Sequence, residues 1–248
     1  MVETSRVGID TLEYRDIAKT IDHSLLRPEL DVATVREGVG LALRYDVASA
    51  TVRPADVPWA AEVVAGSDVL ISTVVGFPHG SHTTRTKAAE TEELVAAGAD
   101  EIDMVLNIGR LISGEDAYVE QDIRAVVEAA QGRLVKVIFE NAYLDDVQKI
   151  RACELTAAAG AGFVKTSTGF APSGATIEDL QLMREHSPAH VQVKAAGGVR
   201  TLDALLEVMN VGVTRIGATA TETILEDFKA RKAGVTPPSD VAAPSGAY

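Results

Sequence analysis

Short runs rich in Val and Ile alternate with longer stretches of helical periodicity along almost the whole chain. The strand candidates are IDHSLL from residue 21, VASATV from 47, VLISTVVG from 69, EIDMVLN from 101, LVKVIFEN from 134, GFVKTST from 162, VQVKAAGG from 191 and TRIGATA from 214. Each is followed by a helix candidate, from DVATVREGVGLALRY after the first to TETILEDFKARK after the last, and an introductory helix is expected near residues 11–19. Gly, Pro, Asp or Ser marks most junctions. Strict alternation of eight strands with eight helices, within about 220 residues, predicts an α/β fold of the (β/α)8, or TIM, barrel type. An open doubly wound sheet is the lesser alternative, because no GxGxxG follows the first strand.

No domain boundary is visible before residue 231, so residues 1–231 are expected to form one catalytic barrel with a short N-terminal helix. Residues 232–248 are expected to be a mobile C-terminal tail, since GVTPPSDVAAPSGAY lacks periodicity and is rich in Pro, Ala, Gly and Ser. Its terminal Tyr248 is either a frayed end or a residue that visits the active site, and composition alone favours the frayed end. The formal net charge of −13 and the pI near 4.8 argue against a nucleic-acid partner, although a local basic pocket can still hold a small anion. Cys153, the one cysteine, lies in the helical KIRACELTAAAG and reads as a core residue in a reducing, cytoplasmic setting. No stretch resembles a signal peptide or a membrane span, so a soluble protein without a membrane partner is expected.

Successive side chains of a strand point to opposite faces. In EIDMVLN, Ile102, Met104 and Leu106 oppose Asp103, Val105 and Asn107; in LVKVIFEN, Val135, Val137 and Phe139 oppose Lys136, Ile138 and Glu140. In VQVKAAGG, Val193 and Ala195 oppose Lys194, and in GFVKTST, Lys165 shares a face with Phe163 and Ser167. With the uniformly apolar faces packed on the helices, Asp103, Lys136, Glu140, Lys165 and Lys194 converge inside the barrel. A buried ion-pair cluster that only fixes the core would account for Lys136 with Glu140 or Asp103. For Lys165 and Lys194 a functional role is favoured, because perturbed ionisable groups collect at functional sites.

Two buried cations side by side disfavour each other's charge, so one amine can become neutral near physiological pH. A neutral amine attacks an aldehyde or ketone to give a Schiff base, an electron sink for breaking or making the adjacent C–C bond. The second lysine and a carboxylate such as Asp103 can move the protons. That is the logic of a lysine-dependent aldolase with no metal and no organic cofactor.

The motifs DHSLL, VVGFPHG, EIDMVLN, KVIFEN, FVKTSTGF and VKAAGGVR, in this order and spacing, resemble deoxyribose-phosphate aldolase over residues 17–230. The resemblance implies reversible cleavage of 2-deoxy-D-ribose 5-phosphate to D-glyceraldehyde 3-phosphate and acetaldehyde. It implies Lys165 as the Schiff-base lysine, Lys194 as the neighbour that tunes it, and Asp103 as proton donor and acceptor. Asp22 and Lys136 correspond to supporting polar residues, and Tyr248 matches in type and position a terminal tyrosine that helps proton transfer in the family. Thr166 is counted as supporting, since the hydroxyls of KTSTG are better placed to orient substrate than to act as nucleophiles. This chain departs from the family pattern at Thr51, Asn141, Thr219 and Ala220, the last two standing where paired serines are frequent.

A phosphate site is expected after strands seven and eight, as in other barrels of this class. Gly197 and Gly198 let backbone approach a ligand, Arg200 supplies a cation, and a helix opens at Thr201. Gly169, Gly217 and Thr219 are counted with them. His79 and His82 in FPHGSH lack further ligands at metal-binding spacing and read as loop or substrate contacts. The expected partners are small aldehydes and a sugar phosphate; a homo-oligomer, dimer or tetramer, is compatible with helix faces that carry no clear interface signal. The rival readings are another aldolase or isomerase on the same barrel, with an altered acceptor or a weak phosphate requirement, and a non-catalytic sugar-phosphate binder.

Overall fold

A strand of a parallel sheet leaves no backbone group unpaired only if it has a neighbour on each side, and closing the sheet gives every strand two. The computed structural model describes residues 8–235 and has this closed form. Its strands are β1 (Ile21–Leu25), β2 (Ser49–Val52), β3 (Leu70–Val75), β4 (Glu101–Val105), β5 (Leu134–Ile138), β6 (Phe163–Lys165), β7 (Gln192–Ala196) and β8 (Val213–Ala218). Each is parallel to the next, and β8 pairs back to β1 through Ile21 with Ile216 and Asp22 with Gly217. The expected (β/α)8 barrel is the observed fold.

The helices are α1 (Tyr14–Ala18), α2 (Val32–Arg44), α3 (Val57–Val64), α4 (Thr84–Ala96), α5 (Ile108–Ile112), α6 (Asp116–Ala129), α7 (Asp146–Ala158), α8 (Ile177–Glu185), α9 (Leu202–Asn210) and α10 (Thr221–Lys232). Side chains of Asp31, Thr83, Asn107, Asp145, Thr176 and Thr201 accept backbone N–H groups at the starts of α2, α4, α5, α7, α8 and α9. These caps end the loops that leave the C-terminal ends of the strands, so they help to fix the rim where barrel sites form. The short α5 is an addition to the expected elements: Asn107 caps it directly after β4, ahead of the long helix α6. The introductory segment is a 3-10 turn, Ile9–Thr11, followed by α1, whose Ile17 and Ala18 are buried. Helix α10 runs to Lys232; the rest of the expected tail, residues 236–248 with Tyr248, lies outside the described residues.

The outward faces of the strands form the core with the helices. Ile21, Ala50, Ile71, Ile102, Met104, Val137, Val164, Val193 and Ile216 are all buried there. Cys153 belongs to the same core, and burial pushes its thiol up to about 11. His23 of β1 pairs its Nδ1 with Thr221 Oγ1 of α10 at 2.9 Å, and burial pushes the imidazole down to about 4, so it is neutral at physiological pH. Among the described residues, no helix is long and apolar enough to cross a membrane.

Of the ion pairs between helices among the described residues, one is fully buried. Lys87 of α4 and Asp122 of α6 are fully buried and 2.5 Å apart, and the Lys87 ammonium also donates to the Val105 carbonyl at the end of β4. Burial pushes the ammonium down and Asp122 opposes that shift. The contact ties two helices to the rim beside the site. Removing one partner strands the other charge, so Asp122→Ala is expected to lower the unfolding free energy by about 3–5 kcal/mol in urea titrations. Lys87→Met combined with Asp122→Leu should recover most of that loss.

Candidate functional site

The inward faces carry the charges that the outward faces lack. Asp103 stands level with Lys136 in the β4–β5 register, Ile138 with Lys165, Lys165 with Lys194, and Lys194 with Arg215 across an irregularity in the β7–β8 pairing. Three ammonium groups reach the Asp103 carboxylate. Lys165 Nζ and Lys194 Nζ donate to Oδ2 at 2.8 and 2.7 Å, and Lys136 Nζ donates to Oδ1 at 2.7 Å. Asp22 forms a second node, with Lys194 Nζ at 2.5 Å, Arg215 Nη1 at 2.5 Å and the Ser49 hydroxyl at 2.6 Å. Glu101 forms a third, with Lys136 at 2.7 Å and Arg215 Nη2 at 2.9 Å.

Four cations are thus joined by direct contacts to three carboxylates, all of them largely buried. The excess is one positive charge in a medium that disfavours any unpaired ion, and releasing a proton relieves it. Burial pushes the Lys194 ammonium below its usual value; Lys165 and Lys136 add to that, and the carboxylates of Asp103 and Asp22 only partly offset it. Lys136 goes the other way: burial would lower it, but Asp103, Asp22 and Glu101 together raise it, so it stays charged. Burial would raise the Asp103 carboxyl, yet the ammonium groups of Lys136, Lys165 and Lys194 hold it well below the usual range. Asp22 is lowered in the same way by Lys194, Lys136 and Arg215 against its burial.

Lys165 and Lys194 differ in setting. Lys194 is held between Asp22 and Asp103 inside β7, whereas Lys165 is the last residue of β6, at the rim, with Asp103 as its carboxylate partner. Beyond it, the Thr166 hydroxyl donates to Ala196 O and accepts from Ala196 N, tying the segment to β7. The Ser167 hydroxyl is buried with no hydrogen-bond partner. Unsatisfied buried hydroxyls are uncommon, and this one, two residues past Lys165, is available to a ligand.

A cavity of about 220 Å³ opens beside this rim, lined by Gly169, residues 171–173, Gly174, Gly197, Gly198 and Arg200. Gly197 has a φ of +79°, and a Cβ at Gly174 would lie 2.4 Å from Gly197 O, so only hydrogen fits between the two backbones. Thr201 caps α9 next to them. The structure therefore brings together Gly169, Gly197, Gly198 and Arg200 of the expected phosphate residues.

Three further expected residues stand outside that cavity. Gly217 lies inside β8, where a Cβ would make ordinary contacts, 3.5 Å from Ala196 Cβ and 3.7 Å from Lys194 Cε. Thr219 is exposed and lines a different cavity, of about 350 Å³, with His23, Leu25, Leu30 and Leu41. Glu140 is not on the strand face with Lys136: β5 ends at Ile138, and the Glu140 carboxylate takes hydrogen bonds from Thr168. Glu101, Arg215, Ser49 and Ser72 are members of the cluster that the sequence reading missed. Alternation carried the signal for two of them, since Glu101 is on the Asp103 face and Arg215 on the Gly217 face. His79 and His82 are exposed on the loop before α4.

Residues 18–235 match the model of the DeoC/LacD family aldolases. The chain is 51% identical over 213 residues to deoxyribose-phosphate aldolase 2 of Staphylococcus aureus (strain MSSA476), covering 86% of this chain and 97% of the relative. It is 48% identical over 219 residues to the deoxyribose-phosphate aldolase of Rhodopirellula baltica, covering 88% and 91%. Among solved structures, the tetrameric deoxyribose phosphate aldolase of Aeropyrum pernix superposes with a TM-score of 0.82 at 29% identity, covering 90% of this chain and 95% of that one.

The depressed Asp103 carboxyl makes part of the stability depend on pH. Its contribution is fully present above the unfolded value of about 4 and is lost as pH falls from there toward the lower native value. Asp103→Asn is expected to cost about 3–5 kcal/mol at pH 7, because three ammonium groups lose a shared counter-ion. The gap between wild type and variant should narrow in denaturant titrations taken below about pH 4.

Proposed function

The chain belongs to the DeoC/LacD aldolase family, and on that premise we propose that it is a deoxyribose-phosphate aldolase in which Lys165 carries the Schiff base. The observation that carries the assignment is the sharing of one oxygen, Asp103 Oδ2, by the Lys165 and Lys194 ammonium groups at 2.8 and 2.7 Å. That arrangement places a nucleophile, a second amine whose proton is easily lost, and a carboxylate within one proton's reach of each other.

Lys165 is the imine-forming residue because it ends its strand at the rim, where an aldehyde arrives. Lys194 releases a proton most readily, and Asp103 is the relay between the two amines. The neutral Lys165 amine adds to the aldehyde carbon of the open-chain sugar phosphate, and loss of water gives the iminium. Transfer of the C3 hydroxyl proton to the Asp103–Lys194 pair, once Lys194 has released its own proton, breaks the C2–C3 bond, and the electron pair moves into the iminium to form an enamine. Glyceraldehyde 3-phosphate departs with the C3 carbonyl; protonation of the enamine and hydrolysis release acetaldehyde and return the amine. The iminium is the electron sink, so no metal or organic cofactor enters the step. Asp22, Lys136, Glu101 and Arg215 hold the pair in place. The phosphate is assigned to the cavity at Gly169, Gly197, Gly198 and Arg200, beside the start of α9.

The single buried cysteine and the acidic charge fit a reducing, cytoplasmic setting with small aldehydes and a sugar phosphate as partners. A homo-oligomer is proposed as well, by analogy with the tetramer of the Aeropyrum relative.

Borohydride reduction in the presence of acetaldehyde is expected to fix a two-carbon adduct on Lys165, located by peptide mass spectrometry. Lys165→Met should abolish it and lower kcat by about a thousandfold or more. An unlabelled Lys165 peptide, with Lys165→Met fully active in cleavage, would refute the mechanism. Removing the substrate phosphate should raise KM more than it lowers kcat, and Arg200→Ala should reproduce that pattern by taking away the cation that lines the cavity.

A further inference from the structure

Glu140 is the member of the expected charged face that the lysine cluster does not use. It sits just past β5 in the left-handed region, with φ 59° and ψ 64°, a conformation that residues other than Gly, Asn and Asp seldom adopt. Its side chain is 2% exposed. Strain of this kind persists only where the surroundings impose it, and it collects at functional sites.

The surroundings are the end of β6. Phe139 N donates to Lys165 O at 2.9 Å and Asn141 N donates to Thr166 O at 3.0 Å. In a regular parallel pairing, donors two residues apart on one strand meet acceptors two residues apart on the other. Here the acceptors are consecutive, and the left-handed turn at Glu140 lies between the two donors. The Glu140 carboxylate then takes the next residues of the segment: Thr168 N lies 3.2 and 3.3 Å from its two oxygens, and the Thr168 hydroxyl donates to Oε2. Phe170 N donates in turn to Thr168 Oγ1 at 3.0 Å. Burial raises the Glu140 carboxyl, while the Thr168 hydrogen bonds and the Lys165 charge oppose that shift, which places Lys165 within its field.

Strand β6 has only three residues, and its ladder ends at Lys165. We propose that Glu140 is a positioning residue for the aldol reaction, its buried carboxylate clamping Thr168 so that the strand end bearing the Lys165 amine is held toward Asp103. Backbone bonds fix Lys165 from one side, and the clamp fixes the segment that follows it. The inference rests on Lys165 being the imine-forming amine.

The test is the rate of borohydride-trapped adduct formation at Lys165 with acetaldehyde, a probe that does not use the phosphate cavity. Glu140→Gln and Thr168→Val are each expected to slow trapping about tenfold, the loss of one charge-assisted hydrogen bond to a buried group. The double variant should be no slower than the slower single one, because each substitution breaks the hydroxyl–carboxylate contact and only Thr168→Val also removes the acceptor for Phe170 N. Thr168→Ser, which keeps the hydroxyl, should restore trapping towards the wild-type rate. Trapping by Glu140→Gln within twofold of wild type per folded molecule would overturn the clamp, as would losses that multiply in the double variant. So would a lowered thermal midpoint with an unchanged trapping rate, since that is the signature of a structural role alone. If Glu140→Gln does not fold, the comparison of Thr168→Ser with Thr168→Val decides the matter: equal rates overturn it. A wild type that forms no adduct refutes the role given to Lys165 itself and is distinguished by that silence.

Discussion

A carboxylate taken out of water is stabilised by the cations it meets, and Asp103 meets three, from β5, β6 and β7. Each of those cations is buried and needs a counter-ion for the same reason. Four neighbouring strands therefore cannot slip past one another without leaving a charge alone, and a shift of one residue would turn every ion toward the apolar helices. The same contacts that lock the barrel register assemble the reactive groups. The charge excess is unevenly shared: Asp22 and Glu101 hold Lys136 and Arg215 charged, and the deficit falls on Lys194.

Closure of the sheet makes that cluster tolerable. An open sheet would let water reach an edge strand and solvate these charges. In the closed barrel Lys136 and Lys194 are fully buried while their outward neighbours Val135, Val137, Val193 and Ala195 pack against helices. Deep in the barrel the contacts are dense and symmetric; toward the rim they thin out to Lys165, its loop and the glycine-lined cavity.

Most of this was legible in the sequence because a parallel barrel leaves a strong signal: apolar outward faces, short strands, and a turn residue at nearly every junction. Asp103, Lys136, Lys165 and Lys194 stood out as charges at inward positions of apolar runs. Glu101 and Arg215 did not, because they sit near strand entrances, where a charge is the ordinary reading of a boundary. Glu140 looked like a strand residue because periodicity is blind to a left-handed turn. The Lys87–Asp122 pair was invisible, since each residue alone reads as part of a solvated helix face and only packing brings them together. Gly217 falls within β8 and Thr219 directly after it, as the TRIGATA run places them.

The position of Lys165 at a strand end carries a tension that the rest of the site resolves. A nucleophile must reach an incoming aldehyde, which favours the rim, but it must also hold its distance to Asp103, which favours the rigid interior. Placing it as the last residue of a three-residue strand meets the first need and weakens the second, since the ladder stops there. Thr166 restores support from the β7 side through paired bonds to Ala196. Phe139 and Asn141 restore it from the β5 side, at the cost of a left-handed residue between them. Lys194, one strand over and inside its ladder, needs no such bracing, which fits the proton-exchanging part proposed for it, with the substrate carried by Lys165.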